Sequence, residues 1–245
     1  NDLSALDWST YLSTPGGDMC FGLKLDAAGD VYVCGATDNA AFPTTPGAYQ
    51  TAFTGTEDGF IAHLTGNGST LAHSTLFGSS QEVDAFFIQL DVDGDVYIYG
   101  QSTLGTITIS PPGTYGQPGT DIFIAEFTPD LATNIFKSVV GTAGGFGTSC
   151  VPVAFLVDVC EHIYISGYST YGGGFATTAG ALYTTGGFYL AAYDVDMSGI
   201  LYGTYYDGAG HVDGGTSRFD SNGIVYQAVC TAGVFPTTPW AYSNV

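Results

Sequence analysis

Basic residues are almost missing from this chain. Lys24, Lys137 and Arg218 are the only three in 245 residues, against 23 Asp and Glu, which leaves a formal charge of −20. Binding nucleic acid requires a basic surface that displaces phosphate counterions, so that class of partner is excluded. Anionic membrane surfaces are disfavoured for the same reason, and no apolar run approaches the roughly 18 residues of a spanning helix. Good helix formers are scarce too, with only two Met and three Lys plus Arg. The cysteines Cys20, Cys34, Cys150, Cys160 and Cys230 form no Cys-x-x-Cys pair and no zinc spacing. No nucleophile motif accompanies His63, His73, His162 or His211, so packed or solvated histidines are expected rather than bases.

What is present favours strands and tight turns. The chain carries 36 Gly, 17 Tyr and 16 Phe in a composition that is 45% hydrophobic, enough to bury a sizeable all-β core. It also repeats itself. LDAAGDVYVCG at 25–35 returns as LDVDGDVYIYG at 90–100, then as VDVCEHIYISG at 157–167 and FDSNGIVY at 219–226. The leading aspartates Asp26, Asp91, Asp158 and Asp220 step by 65, 67 and 62 residues. The words starting at Ser9, Ser74, Ser138 and Gly203 keep the same beat, and FIA at Phe60 and Phe123 is answered by FYL at Phe188. A proline phrase, FPTTPGAYQ at 42–50, reappears as FPTTPWAY at 235–242. The spacing predicts four units, approximately 1–50, 51–115, 116–183 and 184–245.

Each unit carries four strand signals; in the second these are 58–64, 70–77, 85–91 and 95–100, separated by Asn-Gly and Asp-Gly turns. Runs such as Phe86-Phe87-Ile88 and Val96-Tyr97-Ile98-Tyr99 point to strands covered on both faces. The predicted fold is an all-β β-propeller of four-stranded antiparallel blades, either one domain over 1–245 or the amino-terminal part of a larger ring. The proline phrase is expected to form an ordered connection between blades, since Pro lacks a ladder donor and fixes φ. On this phasing unit one begins at its second strand, near 6–11. A missing first strand, supplied from beyond Val245 or by a partner, is then expected to close the ring.

The words STYL (9–12), GGD (16–18), LDAAGDVYVCGAT (25–37), FPTTPGAYQ (42–50) and DGFIAHL (58–64), in that order, resemble the SBBP repeat. That repeat builds seven-bladed β-propellers in secreted and surface proteins of bacteria, including Bacteroidetes. The resemblance implies a propeller fold and an extracellular or cell-surface location, in some cases with gliding motility or type IX secretion. It implies no reaction. Unit three departs from it at Cys160-Glu161-His162, where the hairpin should read Gly-Asp.

Asp91, Asp93 and Asp95 make the best chemical constellation, because Asp-x-Asp-Gly-Asp places hard oxygen ligands around a turn in a way that suits calcium. Val96 and Ser102 occupy positions where an EF-hand needs Gly and Glu, and hairpin capping through an Asx turn explains the same pattern without a metal. Cys20 and Cys34 fall on one hairpin and are the candidate disulfide. Trp8, Trp240 and the tyrosines offer either sugar-stacking faces or packing between blades. The expected function is a non-enzymatic scaffold or adhesive module that binds protein partners or surface polysaccharide, with no catalytic residue and no required cofactor. The alternatives are a polysaccharide-active hydrolase or lyase using acids at the propeller mouth, or a carbohydrate-binding module.

Overall fold

A computed structural model describes residues 5–103, 105–142, 150–169, 173–206, 217–220, 224–228 and 238–241. His211, Cys230 and half of the second proline phrase lie outside them. The described chain is almost entirely strand and turn, with one short 3₁₀ turn at Val195–Met197. No helix among the described residues is long and apolar enough to cross a membrane.

Three four-stranded antiparallel sheets follow one another along the sequence. Sheet one holds β1 (Asp18–Leu25), β2 (Val31–Thr37), β3 (Asp58–Leu64) and β4 (Leu71–Phe77). Sheet two holds β5 (Val83–Leu90), β6 (Val96–Ser102), β7 (Ile122–Phe127) and β8 (Asn134–Val140). In sheet three, β9 (Cys150–Val157), β10 (Ile163–Ser169), β11 (Phe188–Tyr193) and β12 (Ile200–Tyr206) repeat the order, and β13 (Ser217–Phe219) pairs with β14 (Val225–Gln227) as a two-stranded sheet. Strand order within every sheet is the chain order, so each is a meander of hairpins. The second and third strands are buried along nearly their whole length because both faces are covered, which accounts for their unbroken apolar runs.

Neighbouring sheets pack face against face. One core joins Tyr32, Cys34 and Ile61 of sheet one to Ile88, Ile98 and Phe123 of sheet two. A second joins Tyr99 and Ile124 of sheet two to Phe155, Ile165 and Tyr189 of sheet three. The first strands are also linked in series: Lys24 Nζ donates to Gln89 Oε1 (2.8 Å), and Gln89 Nε2 donates to the Phe155 carbonyl (3.1 Å).

The sheets are out of phase with the sequence units. The break between sheets one and two falls between Phe77 and Val83, inside the predicted unit 51–115. A period shows that a pattern recurs but not where one copy ends, so the four strand signals of one unit divide between two sheets. Residues 6–11, expected to be a strand, form none; the segment is exposed, and Trp8 Nε1 donates to the Gly66 carbonyl at 3.0 Å. With β1 present as the first strand of sheet one, the count that required a missing first strand no longer holds.

The proline phrase is likewise not a connection between sheets. It lies between β2 and β3 and runs along the outer strand of its own sheet. Thr45 N donates to the Ser74 carbonyl (3.0 Å) and Leu76 N to the Gln50 carbonyl (2.9 Å). Sheets two and three repeat the device, with Ser110 exchanging backbone bonds with Lys137 on β8 (2.9 and 2.8 Å) and Tyr205 N on β12 donating to the Tyr183 carbonyl (3.0 Å). Each outer edge, which would otherwise offer unpaired backbone groups, is thereby covered. Buried Asp58 anchors the first of these connections by accepting from Thr54 N (2.9 Å), Gly55 N (3.1 Å) and Gln50 Nε2 (3.1 Å).

Cys20 and Cys34 are free thiols in the structure. A bulge between Cys20 and Gly22 sets Cys20 opposite Gly35 and Cys34 opposite Gly22, so the two cysteines are not cross-strand partners. Burial pushes both thiols up in pKa, Cys34 far more than Cys20.

Candidate functional site

The repeated aspartate builds the same turn in all three four-stranded sheets, and Asp220 makes the same closing bonds. Asp26 N, Asp91 N, Asp158 N and Asp220 N donate to the carbonyls of Asp30, Asp95, His162 and Ile224 at 3.1, 3.2, 3.1 and 3.0 Å. Their carboxylates cap the same loops: Asp26 Oδ1 accepts from the amides of Ala28 and Asp30, Asp91 Oδ1 from Asp93 and Asp95, Asp158 Oδ1 from Cys160 and His162, all between 2.8 and 3.0 Å. Asp220 Oδ1 accepts from Ile224 N at 3.0 Å. These are Asx turns, in which a short carboxylate replaces missing backbone acceptors. Gly29 and Gly94 supply the positive φ (88° in both) that closes the loop, and Glu161 takes that conformation at φ 64° in sheet three.

Strand pairing sets a third-strand residue beside each loop. In sheet one His63 lies opposite Tyr32, in sheet two Glu126 lies opposite Tyr97, and in sheet three Ala192 lies opposite Tyr164. His63 stacks on the Tyr32 ring (centroids 4.2 Å apart, 12° between planes), and its Nε2 stands 3.1 Å from Asp30 Oδ2. In sheet three the partner comes from the hairpin itself, where His162 Nδ1 is 3.3 Å from Asp158 Oδ2 and the Tyr164 hydroxyl donates to the same oxygen at 3.0 Å.

Sheet two differs. Asp91, Asp95 and Glu126 bring one oxygen each within 4.8 Å of one another, while Asp93 stays exposed and outside the group. Burial pushes the Glu126 carboxyl up to about 8 despite a hydrogen bond with Tyr97, and the charges of Asp196, Asp95 and Asp91 add to the rise. Asp95 is also raised, by burial and then by Asp91, Asp93 and Glu161.

A second acidic group gathers at the opposite end of the strands, between sheets one and two. Asp84, at the start of β5, is 8% exposed and is pushed up to about 7 by burial and then by Glu57 and Glu82. Burial and Glu82 raise Glu57 as well. The Glu57 and Asp84 carboxyls lie within hydrogen-bonding reach of each other, and the buried Glu57 Oε1 and Asp84 Oδ1 have no hydrogen-bond partner. Two acids in this position satisfy each other only by sharing a proton.

Of the three aspartates that the sequence offered as calcium candidates, two come together with a glutamate that sequence spacing did not nominate. The available signal was that DGFIAHL and DIFIAEF are the same word, with His63 and Glu126 at the same place in it. His73 packs against His63 (centroids 5.6 Å apart), consistent with packed histidines. Comparisons with protein-family models and with curated proteins find no match.

Proposed function

We propose that the chain is an arc of a β-propeller and serves as a non-enzymatic scaffold or adhesive module of a secreted or surface-exposed bacterial protein, binding protein partners or surface polysaccharide. The observation that carries this reading is a constant frame with a changing display. Three Asx turns share one hydrogen-bond pattern, while the third-strand residue beside them changes from His63 to Glu126 to Ala192. Folds that present binding surfaces hold the scaffold fixed and vary what is mounted on it. The propeller part of the reading is supported by sheets stacked face to face in series through their first strands. The SBBP-like order of the repeated words supports it too. On the face of β1 turned away from sheet two, Leu23 and Leu25, opposite Val33 and Val31, are 62% and 55% exposed, apolar surface that a further sheet of the ring would cover.

A second reading, acid–base hydrolysis of polysaccharide, is favoured by the raised Asp84 carboxyl beside Glu57. It is the weaker, because carboxyls in hydrogen-bond contact stand closer than the roughly 5 Å separation of glycosidase pairs. The test is to incubate the purified protein with a panel of bacterial and algal polysaccharides, measuring retention and product release separately. Retention without product supports the scaffold. Product release abolished by Asp84→Asn in a folded protein overturns it in favour of the hydrolase.

A further inference from the structure

The three equivalent hairpins answer their carboxylates differently, and only in sheet two does no histidine stand among them, the Tyr97 hydrogen bond to Glu126 being the one side-chain donor. In sheet one, Asp30 has His63 Nε2 at 3.1 Å on one oxygen and Gly66 N at 2.7 Å on the other. In sheet three, Asp158 has His162 and Tyr164. In sheet two the position of His63 is taken by a third carboxylate. Glu126 is only 3% exposed and its Oε2 has no hydrogen-bond partner, although it sits in the one group where three acids converge. Among the described residues no Lys, Arg or His forms an ion pair with Asp91, Asp95 or Glu126. Leaving three converging carboxylates without a counter-charge in a partly desolvated place is costly, since both burial and like charge oppose ionisation.

We propose that Asp91, Asp95 and Glu126 bind a calcium ion, which joins the β5–β6 turn to the third strand of the same sheet. The donors are carboxylate oxygens with no nitrogen or sulfur among them, a set that selects hard cations over zinc or copper. Asp91 Oδ1 is already committed to the amides of Asp93 and Asp95, so Oδ2 faces the ion. Three protein oxygens leave room for water in the six to eight positions calcium fills, and ligands drawn from a turn tolerate its irregular geometry better than magnesium's strict octahedron. Asp93 is no ligand; its role is confined to the turn.

The experiment uses the whole chain after chelator treatment, titrated with calcium chloride by calorimetry and melted with and without the metal. One calcium ion should bind and raise Tm. Glu126→Gln, which keeps shape and removes charge, should weaken binding by more than about tenfold and abolish the rise in Tm. Asp95→Asn should do the same, whereas Asp93→Asn and Asp26→Asn should leave the affinity unchanged. A folded parent chain that takes up no calcium at millimolar concentration overturns the proposal. So does undiminished binding in both Glu126→Gln and Asp95→Asn, or magnesium binding more tightly than calcium.

Discussion

Sheets one and two share a frame and treat their acids in opposite ways. In sheet one, acids meet donors at both ends of the strands. Asp30 meets His63 at the hairpin, and at the other end Asp18 accepts from Thr37 Oγ1 (2.5 Å) and from Thr14. Burial works to raise Asp18, and those hydrogen bonds outweigh it and hold the carboxyl low. In sheet two, acids meet acids at both ends: Glu126 faces Asp91 and Asp95, and Asp84 faces Glu82 and, across the boundary with sheet one, Glu57. The difference teaches that a repeat can conserve its turns and packing while inverting the electrostatics of the positions they carry. Backbone bonds fix the turn, whereas the cross-strand neighbour fixes the charge.

The largest expected effect tests whether the frame is shared. Gly35 and Gly100 occupy matching places on β2 and β6, and a Cβ there would come within 1.9 Å of the Met19 carbonyl oxygen and 2.0 Å of the Asp84 carbonyl oxygen. Gly35→Ala and Gly100→Ala should each cost about 1–3 kcal/mol or more in urea unfolding. Gly167→Ala on β10, whose nearest neighbour would be the Phe175 ring at 3.1 Å, should cost less. Markedly unequal losses at Gly35 and Gly100 would break the equivalence.

A smaller effect sharpens the electrostatic contrast. Glu126→His gives sheet two the residue that sheet one has opposite its tyrosine. In calcium-free buffer it should stabilise the chain, on the order of 1 kcal/mol, by replacing an acid–acid contact with an acid–histidine one. Calorimetry should show that it removes the calcium response. A variant less stable than the parent without calcium would show that the three acids are satisfied as they stand.

The acid pair at the other end gives a pH signature. Asp84, raised to about 7, holds a proton in the folded chain that the unfolded chain releases near pH 4. Its contribution is therefore fully present below about pH 4, declines as pH rises, and is gone above about 7. Thermal melts of Asp84→Asn across this range should lack the part of the decline that the parent shows, with Tm differing by roughly 2–4 °C at pH 8. The parent and variant curves running parallel would remove the shared proton. The smallest effect belongs to Asp26→Asn: the amide oxygen still accepts from Ala28 and Asp30, so stability should stay within about 0.5 kcal/mol.

The turns were legible in the sequence because everything that makes them lies within five residues. Asp and the closing amide recur as one word, with a glycine between them in three of the four copies, so the four aspartates could be aligned without knowing the fold. The sheet boundaries were not, since a 65-residue beat reads the same from any starting point. Glu126 was missed for a different reason. It stands 31 residues beyond Asp95, and the two meet only because β6 and β7 pair in a register that sets Val96 against Phe127. Local spacing carries no trace of that pairing, although an acid inside FIAEF is itself anomalous for a strand buried on both faces. The proline phrase was recognised as structural and given the wrong neighbour, because its hydrogen bonds run to Ser74 and Leu76, strands that follow it in the chain.

The connections that lie along β4, β8 and β12 bear on how such a chain can lengthen over generations. Each sheet carries its own lid for its outer border, encoded within the stretch that a gene duplication would copy. A duplicated unit therefore arrives already insulated from its surroundings, and adding or losing one leaves no raw border elsewhere to be repaired by compensating mutations. Selection is left free to act on the few side chains mounted beside the turns, so the number of sheets and the chemistry they display can change independently.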